Sequence, residues 1–207
     1  MESRAGDVRS DESLLRMHLE GAADAFPTLL GRYKNELHGF LTKFLGSSIA
    51  ADDVFQETFL QVHLSAATFD QTRKFKPWLY TIAANKARDF HRKRKRRMMA
   101  SLEAPIGKNP ESATLLDMLA SDQEQPDTQS ETADQQALVK RVLDRLPDHH
   151  REVILLGYFQ RMSYQQVADV LLIPLGTVKS RLHAAVALFS THWRKAIKNQ
   201  MGAGEYE

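Results

Sequence analysis

Between residues 98 and 134 the chain reads MMASLEAPIGKNPESATLLDMLASDQEQPDTQSETAD, a stretch of Pro, Gly, Ser, Gln and acidic residues with one short apolar cluster, Leu115, Leu116, Met118 and Leu119. Such a composition buries too little surface to offset the entropy of ordering it, so it reads as a linker. Cutting a 207-residue chain there leaves two pieces, each the size of a small domain. Residues 1–97 and 135–200 are the expected modules, with 201–207 a short polar tail, frayed at its end.

Both flanks are patterned for helices, and no stretch keeps up a two-residue alternation between turn signals. Apolar positions recur at helical spacing over Ser13 to Leu19 and Ala22 to Phe44, with Pro27 near a helix start. ADDVFQETFLQVHLSA places Val54, Phe55, Phe59, Val62 and Ala66 on one side and Asp53, Gln56, Glu57 and Gln61 on another. FKPWLYTIAANKARDFHRKRKRR opens with Pro77 in its first turn and offers Leu79, Ile82, Ala83 and Phe90 for packing. Asn85, Arg88, Asp89, Arg92 and Arg96 form a second stripe. Helices are also expected over Gln136 to Leu146, stopped by Pro147, and over Arg151 to Tyr158. Ser163 followed by Gln166 makes a capping box, ahead of Tyr164, Val167, Ala168 and Leu171 at i, i+3, i+4 and i+7. After the break LLIPLG, the packed stripe is Val178, Leu182, Ala185, Val186 and Phe189. The expected fold class is all-α: two small helical domains and a flexible linker.

The net charge of +2 conceals a segregated pattern. Residues 1–72 sum to −5, 73–97 to +10, 98–134 to −7 and 135–207 to +4. Blocks of this kind meet different partners, and the basic ones seek polyanions. In the basic block, cations neutralise phosphates without reading sequence. Phe75, Trp78 and Tyr80 are open to two roles, core packing or stacking on unpaired bases. Two short helices joined by a tight turn, the second presenting Thr177, Lys179, Ser180, Arg181 and His183, form the pattern of a helix-turn-helix. Its second helix reads base edges in the major groove.

The segments DDVFQETFLQVH, FKPWLYTIAANKARDFHRKRKRR and LPDHHREVILLGYFQRMSYQQVADVLLIPLGTVKSRL, in that order, resemble the bacterial RNA polymerase sigma factors of the extracytoplasmic-function (ECF) class. The resemblance spans nearly the whole chain, with sigma region 2 and region 4 signatures around an unlike linker. It implies a subunit that binds core polymerase and directs promoter-specific initiation. Asp53, Gln56 and Glu57 would meet the clamp helices of the large subunit. Trp78, Asn85, Arg88, Arg92 and the loop Thr68 to Phe75 would serve the minus-ten element, with Asn85 at an extruded base and the arginines on phosphates. Thr177, Lys179, Ser180, Arg181 and His183 would face the minus-thirty-five element, while the same module touches the polymerase flap tip. An anti-sigma factor is the expected controlling partner, and the acidic linker would imitate nucleic acid in a polymerase channel. Ala184 and Val186 stand where the family often carries Arg, which shifts the DNA contacts toward Arg181, His183 and the Arg194, Lys195 end.

The alternatives are a stand-alone helix-turn-helix regulator that binds operators as a dimer, and an enzyme or nucleic-acid chaperone built on the basic block. With no cysteine there is no disulfide, thiolate nucleophile or Cys-based zinc site. His149 and His150, adjacent at a loop, and His183 and His192 match no zinc motif. No Gly-rich phosphate loop or nucleophile elbow occurs, so neither catalysis nor a cofactor or metal is expected. The acidic, polar N-terminus and the lack of an apolar run of bilayer length point to a cytoplasmic protein without direct membrane insertion.

Overall fold

The computed structural model describes residues 9–103 and 131–202. The cluster around Leu115 and the end of the tail lie outside them. The described residues form eight α-helices and no strand: α1 (Asp11–Leu19), α2 (Ala25–Leu45), α3 (Ser48–Ser65), α4 (Phe75–Glu103), α5 (Glu131–Asp144), α6 (Asp148–Ile154), α7 (Tyr164–Leu171) and α8 (Leu175–Gly202). A single 3₁₀ turn, Ala66–Thr68, follows α3, and a π turn, Leu155–Phe159, continues α6. Helix α4 runs to Glu103 and α5 begins at Glu131, so both ends of the expected linker are helical.

Local chemistry accounts for most boundaries. Ser10 caps α1 by accepting from the Ser13 N–H at 3.1 Å, and Ser47 caps α3 through the Ala50 N–H at 3.3 Å. Helix α2 stops at Gly46, whose φ of 76° is a conformation other residues adopt only at a cost. The N–H of Phe75 at the start of α4 donates to the Glu12 carboxylate at 3.1 Å, tying α4 to α1. The capping box at Ser163 is formed, with Gln166 N–H to Ser163 Oγ at 3.2 Å and Ser163 N–H to Gln166 Oε1 at 2.8 Å.

Helices α1 to α4 pack α1 on α2, α2 on α3 and α3 on α4, and α6, α7 and α5 close on α8. Leu14, Leu29, Leu37, Leu41, Val54 and Leu79 are buried in the first group; Val153, Leu155, Val167, Val178, Leu182 and Ala185 are buried in the second. The two groups also pack on each other, α4 against α7, so their cores are continuous. That contact buries more of α4 than the expected stripe. Tyr80, Ala84 and Ala87, at i, i+4 and i+7, are as inaccessible as Leu79 and Ala83. The Tyr80 hydroxyl donates to Gln160 Oε1 of the second module at 2.6 Å.

Candidate polymerase-docking and nucleic-acid surfaces

Helix α3 buries Val54, Phe59 and Val62 and turns Asp53, Gln56 and Glu57 to solvent. Of these three, Glu57 has an ionic neighbour, Lys86 Nζ of α4 at 3.9 Å. Beside them stand Ile49, Leu60 and Leu64, which are 69, 59 and 67 % exposed. Exposed leucines among carboxylates are out of place on a merely solvated face and fit a surface that another protein covers. None of these three apolar residues was among the docking residues expected from the sequence. Their signal was present in the spacing, since residues 49, 53, 56, 57, 60 and 64 fall on one side of a helix.

The loop into α4 is shaped by Asp70, whose carboxylate accepts the Thr72 N–H at 3.0 Å and its hydroxyl at 2.7 Å. Those hydrogen bonds, with Arg73 nearby, hold the Asp70 carboxyl below its usual range. The turn leaves Arg73 and Lys74 exposed. The aromatic trio divides. Phe75 and Tyr80 are core residues, which closes base stacking to them. Trp78 is half-buried, its ring 4.8 Å from Phe69 and 5.8 Å from Phe75.

Beyond the trio, Asn85 is exposed and its Oδ1 accepts from Arg88 Nη1 at 2.9 Å. Arg92 is exposed and pairs with Asp89 one turn back. Residues 92 to 99 are exposed throughout, so the basic run lies on a solvent-facing length of helix.

In the second module the chain axis bends by 104° between α7 and α8, within the range of a helix-turn-helix. The bend takes three residues. Leu172 adopts a left-handed conformation (φ 56°), and the Pro174 carbonyl accepts the Thr177 and Val178 N–H groups at 2.9 and 3.1 Å. Lys179, Ser180 and His183 are exposed and Thr177 and Arg181 half-buried, with Ser180 Oγ donating to the Thr177 carbonyl at 3.1 Å. Val186 does not join the packed stripe as expected. It is exposed, because the bundle meets α8 along Val178, Leu182 and Ala185. Tyr164 is likewise exposed, at the first position of α7, where no second helix covers it.

His149 and His150 lie in the first turn of α6 and not in a loop, rings 4.1 Å apart. Burial, then His149 and Arg181, hold the His150 imidazole below its usual range. No cluster of three or more metal-ligating side chains occurs among the described residues, and no single described helix is long and apolar enough to cross a membrane.

These surfaces coincide with two family matches: Sigma-70 region 2 over residues 29–97 and Sigma-70 region 4 over residues 136–188. ECF RNA polymerase sigma factor SigW of Bacillus subtilis is 30 % identical over 182 residues, 88 % of this chain and 91 % of that protein. RNA polymerase sigma factor CarQ of Myxococcus xanthus is 31 % identical over 164 residues, 79 % of this chain and 86 % of that one. Among solved structures, CnrH in complex with the cytosolic domain of CnrY is 25 % identical with a TM-score of 0.63, covering 88 % of this chain and 96 % of that one. A free-standing regulator would share the second module alone, whereas these likenesses run through both. The chain belongs to the extracytoplasmic-function class of the sigma-70 family, the subunits that bind core RNA polymerase and direct promoter-specific initiation.

Proposed function

We propose that three surfaces divide the work of initiation. Residues 1–97 dock on core polymerase and serve the minus-ten element, residues 135–200 serve the minus-thirty-five element, and the acidic segment between them connects the two. Asp53, Gln56 and Glu57, with Ile49, Leu60 and Leu64, form the face for the clamp helices of the large subunit. A mixed acidic and apolar patch gives orientation through charge and affinity through burial. Asn85 holds an extruded base, Trp78 flanks it, and Arg88 and Arg92 take phosphates. Thr177, Lys179, Ser180, Arg181 and His183 enter the upstream major groove, and the second module also meets the flap tip. An anti-sigma protein controls access to these faces, by analogy with CnrH, which was solved with the cytosolic domain of CnrY.

The observation that carries this reading is the exposed acidic and apolar face of α3 lying directly beside the cationic length of α4. One side suits a protein and the other a polyanion. The chain does not melt DNA alone. Each base-pair step is held by about 1.4 kcal/mol of stacking, while a base stacked on an aromatic returns about 1 to 3 kcal/mol. With Trp78, two turns before Asn85 on α4, the only half-buried member of the aromatic trio, the remainder of a bubble must come from the polymerase.

Capture of the chain on immobilised core polymerase tests the docking face. Asp53→Lys with Glu57→Lys is expected to lower capture at least tenfold while helicity stays unchanged; undiminished capture would overturn the assignment. In the holoenzyme, Arg181→Ala should weaken binding at the upstream element by about 1 to 3 kcal/mol and spare unrelated duplex. Equal loss on both would reduce Arg181 to phosphate neutralisation.

A further inference from the structure

Helix α1 lies ahead of the stretch matched to sigma region 2, residues 29–97, yet it holds both ends of the loop Thr68 to Phe75. At the far end, the Glu12 carboxylate accepts the N–H of Phe75, the first residue of α4, at 3.1 Å. The first N–H groups of a helix have no partner within it, and an acid there also meets the positive end of the helix dipole. The two residues stand 63 apart in the chain, so the bond fixes the place from which α4 starts. Beside it, Asp11 accepts the Tyr33 hydroxyl at 2.5 Å and Arg32 Nη1 at 2.6 Å, and the Tyr33 ring lies 5.5 Å from that of Phe75. At the near end, α1 packs on the 3₁₀ turn Ala66–Thr68, and His18 Nε2 in its last turn lies 2.9 Å from His63 Nδ1 of α3. Between these ties the loop spans two buried posts. The rings of Phe69 and Phe75 are 6.2 Å apart, and every residue from Asp70 to Lys74 is exposed. The Asp70–Thr72 hydrogen bonds and the Arg73 N–H to the Asp70 carbonyl, at 2.9 Å, shape the crest from within. The position of that crest relative to Trp78 and Asn85 is set by the posts.

We propose that Glu12 is a positioning residue for minus-ten recognition: it touches no DNA, and through the Phe75 N–H it holds the loop in the form that receives the extruded base. The proposal rests on the assignment of that loop and Asn85 to the minus-ten strand. A receiving site built from an exposed loop gains affinity when it is held ready before the base arrives, because the ordering cost has been met in folding. Without the Glu12 acceptor the N–H of the buried Phe75 loses its partner, and the loop is released to other forms. Affinity then falls by the fraction of time for which the receiving form is populated. Glu12 is also an acid beside a surface meant for a polyanion. Loss of its charge by itself would favour DNA, so weaker binding on its removal marks a role through the loop.

The test uses core polymerase loaded with the full chain, and a promoter from which that holoenzyme initiates. One fluorescent probe is a single strand carrying the minus-ten element, intact and with each nucleotide made abasic in turn; the extruded base is the position whose loss costs wild type most. A second probe is a duplex carrying the upstream element alone. Glu12→Ala is expected to bind the intact strand about tenfold more weakly, as for a receiving form that falls from nearly all of the population to about a tenth. On the strand abasic at the extruded position it should match wild type, because the loop acts through that base. The upstream duplex, capture on core polymerase and helicity should stay within about twofold. Glu12→Gln keeps an acceptor oxygen without the charge and should restore strand binding to within about twofold of wild type. Unchanged or tighter strand binding by Glu12→Ala, an equal loss on the intact and abasic strands, an equal loss on the upstream duplex, or a Gln variant as weak as the Ala variant would each overturn the proposal. Gln71→Ala with Lys74→Ala tests the reading beneath it. If that variant binds the strand as wild type does, the loop does not serve the element and both fall; if it weakens binding while Glu12→Ala does not, the positioning role falls alone.

Discussion

Arg151 carries the largest share of hydrogen bonding for one side chain in the second module. It is 7 % exposed and donates to the carbonyls of Leu143, Phe44, Asp144 and Leu146. Helix α5 ends at Asp144 and α2 at Leu45, so the guanidinium supplies a partner to the terminal Phe44 and Asp144 carbonyls and adds a second donor to Leu143, which also accepts the Leu146 N–H at 3.0 Å. Buried acceptors that lose their donor cost about 1 to 3 kcal/mol each. Arg151→Met is therefore expected to lower stability by about 3 kcal/mol, read as a shift in the urea midpoint; a loss below about 1 kcal/mol would mean that water replaces the donors freely. Histidines add a pH dependence. His150, and His18 where it is desolvated beside His63, have imidazoles held below the usual range. The unfolded chain binds protons at these sites more readily than the folded one, so stability is full above the ordinary histidine range and falls as pH drops through it. The melting temperature should decrease from pH 7.5 to 5.5, and His150→Gln should reduce the decrease. An identical decrease in the variant would remove His150 from this account.

At the scale of elements, much was written plainly in the sequence. The 3.6-residue period located the helices of both modules, Ser163 and Gln166 announced the capping box, and the Asn85 stripe was separable from the apolar one by spacing alone. What escaped was set by neighbours distant in the chain. Arg151 and Glu152, within LPDHHREVILL, have polar side chains that look solvent-facing; Arg151 is enclosed by the end of α5 and by α2, and Glu152 meets Arg88 of α4. Tyr80 could have stacked on a base until Gln160 claimed its hydroxyl. The exposed Ile49, Leu60 and Leu64 resemble core residues in any single sequence, since nothing local says which apolar side of a helix is left uncovered. Two substitutions test the element boundaries. Ser163→Ala removes the cap of α7 and is expected to cost about 1 kcal/mol. Leu172→Asn relieves a left-handed residue whose side chain is exposed and is expected to add about 0.5 kcal/mol. Thermal melts of the two variants should move in opposite directions; a drop for Leu172→Asn would show that the leucine contributes packing at the turn.

For the whole molecule, the alternation of charge becomes intelligible once the modules are folded. The acidic first stretch supplies the exposed carboxylates of α3, the proposed docking face; the basic block becomes the outer length of α4, and the moderately basic end becomes α8, the proposed recognition helix. In the proposed division of work none of these surfaces accomplishes initiation by itself, since a bubble of many base-pair steps costs more than one partly exposed aromatic returns. Initiation on this division of work requires a larger scaffold that places the modules on their promoter elements. The most direct measurement is transcription by core polymerase from a genomic fragment library with and without the chain, with the start sites mapped and the stoichiometry of the complex determined. One chain per core enzyme, with initiation at a discrete set of sites that share two spaced elements, is the predicted result. A chain that leaves initiation unchanged, is not retained on core polymerase and binds palindromic duplex as a symmetric dimer would contradict it.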